Sequence, residues 1–563
     1  MKVVINGAGA AGIACLELLK AMGLPHDNAV LCDSKGPIYI GREDNINQWK
    51  SAHAIQTKER TLADAVKGSD IFLGLSVKGA LTPEMIKTMN KNPIIFAMAN
   101  PDPEIDPKIA KELRPDCIMA TGRSDYANQV NNVLGFPYIF RGALDVRATT
   151  INEDMKIACA ESLAKLARED VPDEVAAAYS GARPRYGPEY IIPAPFDPRL
   201  IRDIPPAVAK AAMKSGVAKL PIVDEDAYKN RLSARLDPTA DIMQPIFSKA
   251  KRLMKRVVFA EGEEEKIIRA ALNFRELGLG IPVLVGRQEK IEDTLKKIGL
   301  RPDTDIEIVN SKDSDKSEEY ADFLYKRLQR KGYLRRDCLR MVNNDRNIFS
   351  SCMTSLGHAD AMITGTTRNY SLALEDITQV IDPINNKRIV GISAMVSGPR
   401  TVLVADTNVH DMPSAEEIAD IAEAGAELAR RLGFVPRVAL LAYSSFGYPE
   451  GERSTFMREA VDILDKRNTN FEYDGEMAAD VALNPKAMEL YPFCRLSGPA
   501  NVLIMPAIHS ASISTKLLQE LGGSNLVGPM LVGLSKPIQI IPTGSRVSEI
   551  INLAAIAACD LGR

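Results

Sequence analysis

The hexapeptide Gly7-Ala8-Gly9-Ala10-Ala11-Gly12 stands between a strand-like apolar run, Val3-Val4-Ile5, and an apolar-periodic helix from Ile13 to Met22. Few arrangements constrain a fold as tightly. In a dinucleotide fingerprint the first glycine makes the tight turn, the second lets backbone approach a pyrophosphate, and the third lets helix and strand pack closely. The helix N–H groups and dipole then hold the phosphates. Asp33 follows the next strand-like run, Ala29-Val30-Leu31. An acid there binds ribose hydroxyls and favours NAD. Lys35, Arg42 and Lys50 follow it, either as cations for a 2′-phosphate or as a solvated face. The expected dinucleotide contacts are Gly7, Ala8, Gly9, Ala10, Ala11, Gly12, Asp33, Lys35 and Lys50, with NADP and NAD both open.

At 563 residues the chain has room for three or four domains at about 150 residues each. Strand-like runs Ile71-Phe72-Leu73 and Ile94-Ile95-Phe96 continue the first region to about residue 160. Residues 161–248 read as a helical tail and linker interrupted by proline, with Asp237-Pro238 as one candidate break. A second α/β region, 249–563, opens with Arg256-Val257-Val258-Phe259-Ala260 and passes through Ile281-Pro282-Val283-Leu284-Val285-Gly286. It then runs through a helix from Ala415 to Leu432 and the strand-like Val438–Ala442 and Asn501–Met505. Such alternation predicts parallel sheets with helices on both faces in each region.

Lys and Arg total 70 against 73 Asp and Glu, a net charge of -3, so no basic stripe points to a nucleic-acid partner. No run approaches the ~20 apolar residues that cross a bilayer. Met1 leads at once into a strand, which predicts a cytoplasmic protein. The eight scattered cysteines predict buried, reduced thiols rather than a disulfide framework or zinc site. The five isolated histidines predict neither metal ligation nor a catalytic dyad.

Asp33-Ser34-Lys35-Gly36, Ala97-Met98-Ala99-Asn100-Pro101, and Gly122 through Pro137, which includes Asn131-Asn132, resemble the nucleotide-binding domain of bacterial malic enzymes. Phe140-Arg141-Gly142-Ala143-Leu144-Asp145 continues the resemblance, which covers roughly residues 1 to 230. It implies a Rossmann-like domain that binds NADP, or NAD, and the oxidative decarboxylation of (S)-malate to pyruvate and CO2. It also implies that Asn100 and Asn132 contact malate with Asn131 beside them, although by residue type alone these asparagines read as turns. In that family a lysine base, a tyrosine acid and Glu/Asp/Asp ligands for Mg or Mn lie upstream of the glycine loop. Six residues precede Gly7 here. The expectation is that this chain holds no catalytic acid, base or metal ligand and does not oxidise malate by itself.

In the second region Phe259-Ala260-Glu261-Gly262, Ala359-Asp360-Ala361-Met362-Ile363-Thr364-Gly365, Tyr473-Asp474-Gly475-Glu476 and Gly528 through Pro537 resemble phosphate acetyltransferases. The resemblance implies a two-lobed α/β module. Where that family carries Asp-Leu-Ser-Arg-Gly, this chain has Ile540-Ile541-Pro542-Thr543-Gly544, so aspartate, serine and arginine have become Ile540, Pro542 and Thr543. Pro506-Ala507-Ile508-His509 and Asn369 through Leu374 depart as well, and Arg546 is displaced from the lost arginine. The expectation is a module that binds acetyl-CoA as an allosteric regulator without transferring acetyl groups, with Ser444, Ser445, Lys536, Pro537, Thr543 and Gly544 as the contacts. An active phosphate acetyltransferase and a purely structural module that builds a homo-oligomer are the alternatives. Ser444-Ser445 lacks a nucleophile elbow, Gly447–Gly451 reads as a ligand-side loop or a turn, and Arg327 to Arg340 as a solvated helix face.

Overall fold

Val3–Asn6, four consecutive buried residues, form β1 at the heart of the first sheet, because a strand covered on both faces needs apolar side chains on both. Around it lie β2 (Ala29–Asp33), β3 (Gly36–Pro37), β4 (Ile71–Gly74), β5 (Ile94–Ala97) and β6 (Ile118–Thr121) in the order β3-β2-β1-β4-β5-β6. All pairs are parallel except β2 with β3. The direction of winding reverses between β1 and β4, which is where sheets of this kind open a crevice beyond their carboxyl ends.

In the computed structural model the chain divides into two compact units, Met1–Leu236 and Asp237–Arg563. The structure describes residues 1–172, 175–176, 183–233, 235, 239–299, 306–385, 387–397 and 400–562. The candidate break at Asp237-Pro238 lies outside the described residues. In the first unit the helices Phe136–Asp145, Glu153–Arg168, Leu200–Lys214 and Glu225–Ser233 enclose a core of Leu134, Val146, Leu166, Ile204 and Val208. Pro205 and Pro206 do not break the chain as the sequence suggested; both lie inside the helix Leu200–Lys214. A Cβ on Gly142 would meet the Pro205 carbonyl at 2.6 Å, so the two helices touch at a glycine.

The second unit holds two sheets. β7 (Arg256–Phe259), β8 (Ile281–Val285), β9 (Glu307–Val309), β10 (Ala361–Thr364) and β17 (Ile538–Ile540) form an all-parallel sheet in the order β17-β10-β7-β8-β9. The other sheet takes β11 (Val390–Ser397), β12 (Arg400–Ala405), β13 (Arg437–Leu441), β14 (Glu472–Met477), β15 (Val502–Ile504) and β16 (Asn525–Val532) in the order β14-β13-β15-β12-β11-β16. Here the all-parallel expectation needs correcting. β11 runs antiparallel to β12, which follows it after two residues, too few for the crossover that a parallel partner requires, and it is antiparallel to β16 as well.

One side chain ties these two sheets together. Gln539 of β17, only 1% exposed, donates from Nε2 to the Leu531 carbonyl of β16 at 3.0 Å and accepts the Leu531 N–H on Oε1 at 2.8 Å. A strand pairing is thus continued by an amide side chain. Gln539→Leu keeps the volume but leaves both Leu531 groups without a partner, and is expected to lower unfolding stability by about 2–5 kcal/mol in urea titrations.

Candidate functional site

The glycine turn has the geometry its spacing predicts. Gly7 sits at φ +126°, and a Cβ there would lie 2.2 Å from the Leu75 carbonyl oxygen. A Cβ on Gly12 would come within 1.8 Å of the Gly7 oxygen. Gly9 is different: a Cβ there would meet nothing within 4 Å, so it faces open space. It also caps the helix Ala10–Ala21 without a side-chain hydrogen bond, and the first helical turn carries no acid. The leading N–H groups are therefore unclaimed by side chains, and the site fits a pyrophosphate.

Beside this turn the loops at the carboxyl edge are held by a residue that sequence reasoning passed over. Glu104, fully buried, accepts from the Ser76 N–H at 2.8 Å, the Ser76 hydroxyl at 3.0 Å and the Ala99 N–H at 3.1 Å. Asn6 at the end of β1 donates to the same Ser76 hydroxyl at 2.8 Å. The segments following β1, β4 and β5 are thereby joined. The one signal in the sequence was an acid within the proline-rich Asn100–Asp106 stretch.

Asn100 lies exposed, three residues beyond β5. The loop after β6 returns so that Val130 N–H bonds the Thr121 carbonyl at 2.8 Å, which brings Asn131 and Asn132 to the carboxyl end of β6. Asn131 Oδ1 accepts the Val133 N–H at 3.1 Å, leaving its amide nitrogen available, and Asn132 is exposed. Buried Asn128 anchors the loop through Met119, Pro188 and Ile191. β5 and β6 are neighbours, so the three candidate malate asparagines share one sheet edge with the glycine turn.

At the end of β2 the cations are not the solvated face that charge frequency allowed. Arg42 and Lys50 are buried and bond Asp33 at 2.7 and 2.8 Å, while Lys35 remains exposed and bonds Asp33 only through its backbone N–H, at 2.9 Å. Burial pushes the Asp33 carboxyl up, but hydrogen bonds from Lys50 and Arg42 outweigh it and hold the carboxyl below its ordinary value.

In the second unit Ser444 is buried, with its hydroxyl 2.7 Å from that of Ser454 and 3.3 Å from the Glu476 carboxylate, while Ser445 accepts the Ala478 N–H at 3.0 Å. Both follow the carboxyl end of β13. Thr543 and Gly544 are exposed beyond the carboxyl end of β17, whereas Lys536 and Pro537 precede its amino end. A three-residue strand separates these two pairs by about 10 Å, so the six candidate acetyl-CoA contacts do not form one cluster. Glu261 organises the other strand ends, accepting from the backbone and hydroxyl groups of Thr366 and Thr367 and from the Gly365 N–H. Arg546 pairs with Glu549 at 2.8 Å, and Arg335 in the basic run pairs with Glu318 and Asp322. A shallow cleft elsewhere in the unit is lined by Lys387, Arg388, Asp420, Glu427 and Arg431, charges that already pair with one another.

His410, isolated from other histidines in sequence, has its Nδ1 2.6 Å from Asp406 Oδ2. Among the described residues, no three His, Cys, Asp or Glu side chains are grouped to hold a metal ion, and no helix is long and apolar enough to cross a membrane. All eight cysteines are free, and six are buried.

Residues 1–178 match the NAD-binding domain of malic enzyme, and residues 241–558 match phosphate acetyl/butaryl transferase. The whole chain is 62% identical to an NADP-dependent malic enzyme of Rhizobium meliloti, covering 74% of that protein. It is 52% identical, again over the whole chain and 75% of the relative, to a probable NADP-dependent malic enzyme of Rickettsia prowazekii. Among solved structures, a phosphotransacetylase from Streptococcus pyogenes superposes with a TM-score of 0.53 at 28% identity, over 56% of this chain and 98% of the other.

The glycines separate folding from binding. Gly12→Ala is expected to cost about 3 kcal/mol or more, because its methyl group meets a backbone carbonyl that cannot yield. Gly9→Ala should leave stability within about 0.5 kcal/mol yet weaken dinucleotide binding about tenfold or more, which thermal melts and calorimetric titration distinguish.

Proposed function

The chain belongs to the bacterial malic enzyme family, and from that premise we propose that its first unit binds NADP+ for the oxidative decarboxylation of (S)-malate to pyruvate and CO2. The observation that carries this reading is the shared carboxyl edge, where an open glycine cradle follows β1 and three exposed or half-exposed asparagines follow β5 and β6 of the same sheet. When bound, the dinucleotide supplies the acceptor for a hydride from C2 of malate. The N–H groups at the start of the helix Ala10–Ala21 take the pyrophosphate. Asn100, Asn131 and Asn132 orient the dicarboxylate, since an amide donates to a carboxylate or hydroxyl without titrating. The cations after β2 favour NADP+ over NAD+, in line with the activity named for the two relatives.

The Mg or Mn that the family resemblance implies finds no three-ligand group among the described residues. We propose that residues 1–563 alone bind the dinucleotide and do not turn malate over. Calorimetry with NADP+ should give saturable binding, and incubation with malate, NADP+ and Mg2+ should form no NADPH. Metal-dependent NADPH formation by these residues would overturn the second statement.

For the second unit the reading is a cytoplasmic enzyme's regulatory module, with acetyl-CoA as ligand and contacts at Ser444, Ser445, Thr543 and Gly544. Lys536 and Pro537 belong to the same proposal, at the far end of β17. A bound effector of this kind acts through a coupling free energy of about 1–3 kcal/mol. Equilibrium dialysis should show saturable acetyl-CoA binding with no phosphate-dependent release of CoA. Release of CoA would establish an active acetyltransferase. Absence of binding would leave a module that only joins copies of the chain.

A further inference from the structure

An acid at the end of the second strand of a dinucleotide fold ordinarily offers its oxygens to the ribose diol. Asp33 stands in that position with its oxygens already engaged. Oδ1 accepts from Lys35 N at 2.9 Å and Arg42 Nη2 at 2.7 Å, and Oδ2 accepts from Asn45 Nδ2 at 2.9 Å and Lys50 Nζ at 2.8 Å. A carboxylate has about four lone-pair sites, so none is left for a hydroxyl.

The charges do not balance. One carboxylate, 7% exposed, faces a guanidinium that is 3% exposed and an ammonium that is 11% exposed. The remaining partners are neutral. Arg42 also donates to the carbonyls of Gly36, Pro37 and Asp44, and Lys50 to that of Asn45. Together with the Asp33 bonds these use four of the five N–H groups of Arg42 and two of the three of Lys50. One donor on each remains, with one surplus positive charge in a desolvated setting, where an unmatched charge is costly. Lys35, 62% exposed, is offset at the surface by the Asp44 carboxylate 3.9 Å away, so the surplus rests on Arg42 and Lys50 alone.

We propose that Asp33 is a positioning residue that does not read the ribose: it clamps Arg42 and Lys50 side by side so that their surplus charge receives the 2′-phosphate of NADP+. Without the carboxylate the two buried cations repel and separate, and the anion subsite is lost. This rests on the dinucleotide reading above and reverses the usual expectation for its acid. If Asp33 held the ribose or repelled a phosphate, neutralising it would shift preference toward the phosphorylated cofactor. If it clamps the cations, neutralising it shifts preference away.

The test is calorimetric titration of the full chain with 2′,5′-ADP and with 5′-AMP, which report on the adenosine end without catalysis. The wild-type protein should prefer 2′,5′-ADP. Asp33→Asn should weaken 2′,5′-ADP about tenfold or more while changing 5′-AMP by less than about threefold. Lys50→Met, which leaves a neutral Arg42–Asp33 pair and so retains the loop, should lose the same preference. A preference that rises or stays constant in folded Asp33→Asn, or that survives Lys50→Met, overturns the inference. Wild-type protein that binds neither fragment would overturn the dinucleotide reading and this inference with it, whereas wild-type binding with the wrong response in the variants overturns this inference alone.

Discussion

Beyond the last ladder bond of a parallel strand, backbone N–H groups have no partner, and loops that carry a site must solve this problem before they can hold a shape. In this chain buried carboxylates solve it repeatedly. Glu104 gathers N–H groups from the segments after β4 and β5. Glu261 gathers those of Gly365, Thr366 and Thr367 after β10. Asp406 takes those of Gly391, Asn408, Val409 and His410, and Glu476 takes that of Gly447. Hydrogen bonds to a charged acceptor are the stronger kind, and truncating the acceptor leaves several buried donors unmet at once. The carboxyl edges of all three sheets are therefore shaped by acids beneath them.

Asp33 turns the same device on cations. It still fixes one backbone group, the Lys35 N–H, but its other bonds go to Arg42, Asn45 and Lys50. Where the other acids end with their donors satisfied, this one gathers more positive charge than it cancels. The glycine turn differs again. There the shape comes from the absence of atoms, Gly12 permitting the helix to lie against the Gly7 carbonyl and Gly9 leaving room for a ligand. A cradle made by missing side chains thus follows β1, and a charge cluster made by present ones follows its neighbour β2.

What was legible in the sequence follows from this distinction. The glycine turn lies within six residues, and its strand and helix can be read beside it, so its roles were plain from spacing. The Asp33 cluster reaches 9 and 17 residues along the chain, and no periodicity announces that Arg42 and Lys50 fold inward. The roles of Glu104 and Glu261 were hidden for the same reason: a buried acid is recognisable by its partners, which lie 28 and 105 residues away in Ser76 and Thr366. The antiparallel position of β11 was hidden because its apolar residues satisfy parallel and antiparallel neighbours alike. Lys536, Pro537, Thr543 and Gly544 look close in sequence, yet an extended strand converts a few residues into a separation longer than a hydrogen-bonding site.

Packing also bears on whether the second unit could regain the chemistry of the family it resembles. Ile540, which the resemblance sets against an aspartate, is fully buried in β17 beside Thr364 of β10. Ile541 is buried in the other core cluster of the unit. An aspartate returned to position 540 would enter an apolar setting without a cation to meet it, at a cost of several kcal/mol. Arg546 offers no remedy, since it is engaged by Glu549 at the start of the helix Val547–Ala558. Of the three differing residues, Ile540 is the one built into the core, next to the Gln539 bridge, while Thr543 is exposed. Packing at position 540 therefore opposes a buried carboxylate there.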